Sequence, residues 1–157
     1  MELTFNYFTQ MIIAAFFFML FSFCAWYEGS EILDNHWEWK HSTFFSDHVI
    51  DADDISDLDH FVYAAKFRPL FPVLMILTAS YIIMLTGHRL FKTSITKNAL
   101  FLSGFGALFL FASGIVSNSP TIGGGIFQAI FLIGGMLLIL AAALCYFWLP
   151  KGFKTER

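Results

Sequence analysis

Four histidines, His36, His41, His48 and His60, share one stretch of the chain with a run of aspartates that includes Asp51, Asp53, Asp54, Asp57 and Asp59. Imidazole and carboxylate are ligands for zinc or another divalent cation when several of them converge. His36, His41, His48, His60, Asp51 and Asp53 are therefore the candidate metal ligands. Their spacing is a poor match to known sites. His36 and His41 do not make the i,i+4 pair of a helical zinc site, and the aspartate run has neither the glycine nor the closing glutamate of a calcium loop. Solvated acids with incidental histidines are the competing reading, with no cofactor at all. Cys24 and Cys145 lie far apart in sequence and form no Cys-x-x-Cys pair, so quinone-linked disulfide chemistry is disfavoured and no bond between them is expected.

The elements that must position these groups are set by composition. Of 157 residues 57% are hydrophobic and 13% charged, with 21 phenylalanines and a mean hydropathy of +0.67. A soluble domain of this size leaves too much surface in water to hide that content. A soluble enzyme is excluded, and no clustered Lys/Arg face is present to bind nucleic acid. A bilayer core needs about 20 apolar helical residues per crossing. Four such runs exist, at about 7–27, 70–87, 99–117 and 126–149, continuous rather than alternating. The expected fold is an all-α membrane protein: one membrane domain over 1–157 with four transmembrane helices and a structured acidic outer segment, 28–69, between the first two.

Orientation follows from Lys and Arg in short loops. Arg89, Lys92 and Lys97 precede the third span, and Lys151, Lys154 and Arg157 follow the fourth. Both sets should face the cytoplasm, which places both termini inside. The segment 28–69 is then outside, with ten of the twelve acids and only Lys40, Lys66 and Arg68 against them.

Mid-membrane ionisable groups mark pumps and coupled transporters, and these spans contain none. Gln10 and Gln128, and the hydroxyls of Ser22, Thr78, Ser80, Tyr81, Ser103 and Ser113, are expected to be satisfied by i−4 carbonyls or neighbouring helices. The last two spans should form a tight hairpin with Ser103-x-x-x-Ala107 as its small-residue contact, and Gly123-Gly124-Gly125 should be a flexible turn. Between the first two spans, Ile55, Leu58, Val62 and Ala65 predict an amphipathic helix starting near Asp51, with Ser56 and Asp59 as a capping-box match. The outer aromatics should hold this segment in an ordered lid with its acidic helix outward. Trp37→Ala should then loosen it more than Asp53→Asn.

The run AWYEGSEILDNHWEWKHSTFFS (25–46), followed by HFVYAAKFRPLFPVLMILTASYI (60–82), resembles a family of small, uncharacterised integral membrane proteins of Gram-positive bacteria that carries a domain of unknown function. The likeness covers about residues 1–87 and leaves 99–157 as an added hairpin. It implies the architecture and a place in a bacterial cytoplasmic membrane, and no activity, cofactor or catalytic residue. Trp26, Tyr27, Glu28, Trp37 and Trp39 are the candidate partner surface, with belt anchoring at the headgroups as the competing role. The expected function is that of a non-enzymatic accessory or assembly protein, meeting the lipid bilayer and another integral membrane protein or a second copy of itself. The alternative is a metal-binding or metal-delivering membrane protein.

Overall fold

Hydrocarbon offers a backbone no hydrogen bonds, so each apolar run has to satisfy its own amides. A computed structural model describes residues 2–46 and 48–152, with side chains over 7–46 and 48–147. Its four long helices are α1 (Glu2–Gly29), α4 (Leu70–Phe91), α5 (Ile95–Val116) and α6 (Ile122–Gly152). All four are long and apolar enough to cross a membrane. The chain is an all-α, multi-pass membrane protein, and no strand occurs among the described residues. Between α1 and α4 stand two short helices, α2 (His36–Ser42) and α3 (Asp57–Phe67), with 3-10 turns at Ser30–Asp34 and Ala52–Asp54. Together they make a folded cap.

Helix ends follow local chemistry. Ser94 caps α5, its Oγ accepting from the Lys97 amide at 3.4 Å, and this starts the helix four residues before the apolar run. The helix α3 begins at Asp57 rather than near Asp51, because Ser56 is its N-cap and accepts from the Leu58 amide at 3.3 Å. Asp59 takes no part in that cap. The capping box belongs instead to the turn Ala52–Asp54, where the Asp54 carboxylate accepts from the amides of Ile50 and Asp51 at 3.0 and 3.1 Å. Those two amides hold the Asp54 carboxyl below its ordinary value. Pro72 falls in the first turn of α4, where a missing amide costs little. Gly123, Gly124 and Gly125 are not a flexible turn: they lie in the first turn of α6. A Cβ on Gly123 would collide with the Ala65 carbonyl, so this helix start needs glycine to come that close.

The chain divides into two compact units, residues 1–82 with 121–123, and residues 83–120 with 124–157. In the first, Ala14 of α1 is buried and Phe21 meets Phe71 with ring centres 6.4 Å apart. The Tyr81 hydroxyl donates to Gln10 Oε1 at 3.3 Å. Ser22, Thr78 and Ser80 each donate to the carbonyl four residues back, at 2.7, 2.6 and 2.7 Å. These polar atoms are thus satisfied inside the protein, as lipid requires.

In the second unit α5 and α6 approach backbone to backbone. A Cβ on Gly106 would lie 3.0 Å from the Gly135 carbonyl, and one on Gly135 would lie 2.9 Å from that of Gly106. The expected Ser103-x-x-x-Ala107 contact is not the seam, since Ala107 is exposed. The buried positions on α5 are Ala99, Leu102, Gly106 and Ser113, and the Ser113 hydroxyl donates across to the Gln128 carbonyl at 3.1 Å. Phe101, Phe105 and Phe109 follow one another along α5 at i,i+4 spacing, the first pair stacked and the second edge-to-face, and Phe109 meets Phe131 of α6 edge-on at 5.3 Å.

Gly106→Val should force this hairpin apart and cost about 1–3 kcal/mol, the usual range for overpacking. Gly104, whose Cβ position meets open space, supplies the control: Gly104→Ala should be neutral or slightly stabilising. Thermal unfolding of the purified variants in detergent reads both.

Candidate functional site in the cap

The candidate site is built where α1 ends. Gly29 lies so close to His60 that a Cβ would strike the His60 carbonyl, and Ala25 of α1 and Ala64 of α3 are fully buried. Small residues therefore let α3 settle directly on α1. Trp26 closes the contact, its Nε1 donating to Asp57 Oδ1 at 3.2 Å and its ring packing on His60 at 5.6 Å. Ile32, Trp39 and Tyr63 form the core of the cap, with Leu33, Val49, Ala52 and Ile55 against it. The Trp39 indole donates to the Ile32 carbonyl at 2.8 Å.

One carboxylate organises the rest. Asp59 is 0% exposed. Its Oδ1 accepts from the amides of Phe44 and Phe45 at 2.7 and 2.8 Å, and its Oδ2 accepts from the Ser46 hydroxyl at 2.5 Å. Ser46 Oγ in turn accepts from the Ser56 amide at 2.8 Å. A hydroxyl beside a carboxylate is also the start of a nucleophile and base pair. Here both carboxylate oxygens hold donors and the hydroxyl oxygen accepts from an amide, and these bonds tie the loop to α3. Lys66 does similar work from the end of α3, donating to the His41 carbonyl and to Ser42 Oγ at the C-terminus of α2. Burial lowers the Lys66 ammonium from its ordinary value, and the Glu38 carboxylate opposes that shift. The exposed Arg68 and Glu31 pair at 3.0 Å, a contact contributing about 0–1 kcal/mol.

The six proposed metal ligands are distributed over different jobs. His36 stacks on Trp39 at 4.2 Å, the His41 carbonyl receives Lys66, and His48 and Asp53 are exposed. Asp51 opens the capped turn. His60 is 4% exposed, and its Nδ1 has no hydrogen-bond partner. Among the described residues no three side chains of His, Cys, Asp or Glu are grouped to hold a metal ion. Both cysteines are free thiols.

Of the five candidate interface residues, Trp26 and Trp39 are engaged inside the fold, and Glu28 is half-buried. Tyr27 and Trp37 are exposed, Trp37 at 90%. The indole that holds the cap together is thus Trp39 and not Trp37, which corrects the expected effect of Trp37→Ala. Sequence reading missed Asp59, Ser46, Lys66 and Gly29. Only Gly29 carried a signal, as a lone glycine just after an apolar helix.

The family model of the domain of unknown function DUF4306 matches residues 8–91. Uncharacterized protein YjdJ of Bacillus subtilis (strain 168) is 35% identical over 77 residues, covering 43% of this chain and 71% of that protein. No solved structure matches the chain.

Trp39→Ala should cost about 3–5 kcal/mol, as for a buried large aromatic, whereas Trp37→Ala should stay within about 0.5 kcal/mol. Asp59→Asn, which puts an amide donor against existing donors, should damage the cap far more than Asp53→Asn. Limited proteolysis across residues 36–59 should rank them in that order.

Burial holds the His60 imidazole below its ordinary value of 6.5, against the upward pull of Asp57 and Asp59. The unfolded chain therefore takes up a proton that the folded cap resists, and stability contributed by neutral His60 is lost as pH falls below 6.5. Amide exchange in α3, corrected for intrinsic rates, should quicken between pH 7 and 5. His60→Phe should remove most of that dependence.

Proposed function

Because the chain belongs to the DUF4306 family, whose function is unknown, we propose its role from its own geometry: a non-enzymatic membrane accessory or assembly protein that engages a membrane partner through its cap. The observation that carries this reading is the division of labour within α2. Trp39 is 9% exposed and fixes the helix to the core, while Trp37, two residues earlier, is 90% exposed on the opposite side. Phe44 at 82%, with Phe45 and Ile50, adds to the exposed apolar surface of the cap. Fixed, solvent-facing aromatics are the anchors that protein interfaces use, because their burial is large and little conformational freedom is lost.

The partner's chemistry follows from the surroundings of that surface. Exposed Asp51, Asp53 and Asp54 stand near Ile50 in sequence, so a complementary surface is an apolar pocket rimmed by Lys or Arg. The Lys/Arg distribution supports an orientation with the cap outside the cytoplasmic membrane and both termini in the cytoplasm. The cap's hydrogen-bonding groups support a scaffold rather than a catalyst, since Asp59, Ser46 and Lys66 are engaged in holding its shape.

A photo-reactive residue at position 37, introduced into the full chain in its native membrane, tests this. It should form one dominant adduct with a single membrane protein, and that protein should co-purify in stoichiometric amount and be lost with Trp37→Glu. Adducts to lipid alone, or none, would sink the proposal.

A further inference from the structure

The helix α3 is built inside out. Its buried residues are Asp59, His60, Tyr63 and Ala64, so the face turned to the protein carries a carboxylate, an imidazole and a phenol. The opposite face, at i, i+3 and i+4, is Leu58, Phe61 and Val62. Leu58 is 52% exposed, and Phe61 and Val62 are partly exposed. A helix with water on its outer side has the reverse arrangement.

Both ends of α3 lie next to a spanning helix. At its start, Asp57 accepts from Trp26 and His60 packs on the same indole, near the end of the apolar run of α1. At its end, Phe67 is three residues before Leu70, where α4 begins. Eleven helical residues span about 16 Å, and over that length α3 leads from its contact with the end of α1 to the start of α4. The part of that helix the protein leaves most open is Leu58 with the partly exposed Phe61 and Val62, between Asp57, which is exposed, and Ala65, whose carbonyl Gly123 approaches.

We propose that α3 is an in-plane interfacial helix, with Leu58, Phe61 and Val62 seated in the lipid of the leaflet on the cap's side, continuous with the lipid-facing surface of the spanning helices. This goes beyond the partner reading and does not depend on it. An apolar face buried at the headgroup boundary is the usual arrangement of monotopic helices. In this chain it also seats α3 on the bilayer: Asp59, His60 and Tyr63 are turned into the protein, and Leu58, Phe61 and Val62 into lipid.

The test uses the full chain in vesicles of phosphatidylcholine and phosphatidylglycerol with no other protein. In a Cys24→Ala, Cys145→Ala background, spin labels are placed by Leu58→Cys, Val62→Cys and, as a solvent reference, Asp53→Cys. Labels at 58 and 62 should be severalfold more accessible to oxygen than to a water-soluble nickel chelate, relative to the label at 53. Phe61→Cys supplies the same readout should Leu58→Cys fail to fold. Chelate access at 58, 61 and 62 equal to that at 53 would overturn the proposal and place the face in water.

Discussion

The cap depends on a single buried carboxylate. Taking Asp59 out of water is costly unless its oxygens are met by donors, and the amides of Phe44 and Phe45 with the Ser46 hydroxyl meet them. Those donors lie 13 to 15 residues away in sequence, so satisfying the charge requires the intervening chain to fold back. One acid thereby ties residues 44–46 back onto α3. The Ser56 amide completes the arrangement through Ser46, which links the cap of α3 to the same closure. Trp39 then fixes α2, and with it the exposed Trp37, to the core of the cap, and the close approach of Gly29 to His60 seats α3 on α1.

How far the sequence discloses this differs by element. The four spans are legible because hydrophobic thickness leaves only one kind of solution, about 20 apolar helical residues. The satisfaction of Ser22, Thr78 and Ser80 by their own helices is legible for the same reason, since lipid offers no alternative partner. The α2 indoles are different. Trp37 and Trp39 are equivalent by type and two positions apart, and a seven-residue helix is too short for periodicity to say which one faces the core.

Asp59 is equally hidden. It stands in a run of aspartates with nothing local to distinguish it, because its partners come from a different part of the loop. Ser56-x-x-Asp59 reads as a capping box, and only the serine half of it is used. The glycines mislead in the same way. Gly123 reads as freedom to turn, yet it serves a helix start that passes the Ala65 carbonyl too closely for a side chain. Long-range contacts fix each of these choices, and no local pattern carries them.

The family match also gains a physical meaning from the helix boundaries. It ends at residue 91, and α4 ends at Phe91. The family portion is thus α1, the cap and α4, with the cap joining two spanning helices by way of α3. The hairpin that follows has its own internal seam, in which Gly106 and Gly135 set the backbones together and phenylalanine rings fill the flanks. The polar network and the glycine seam are separate solutions to different solvents: buried carboxylate and amide bonds where the chain faces water, close van der Waals packing where hydrocarbon removes the hydrophobic drive for helices to associate.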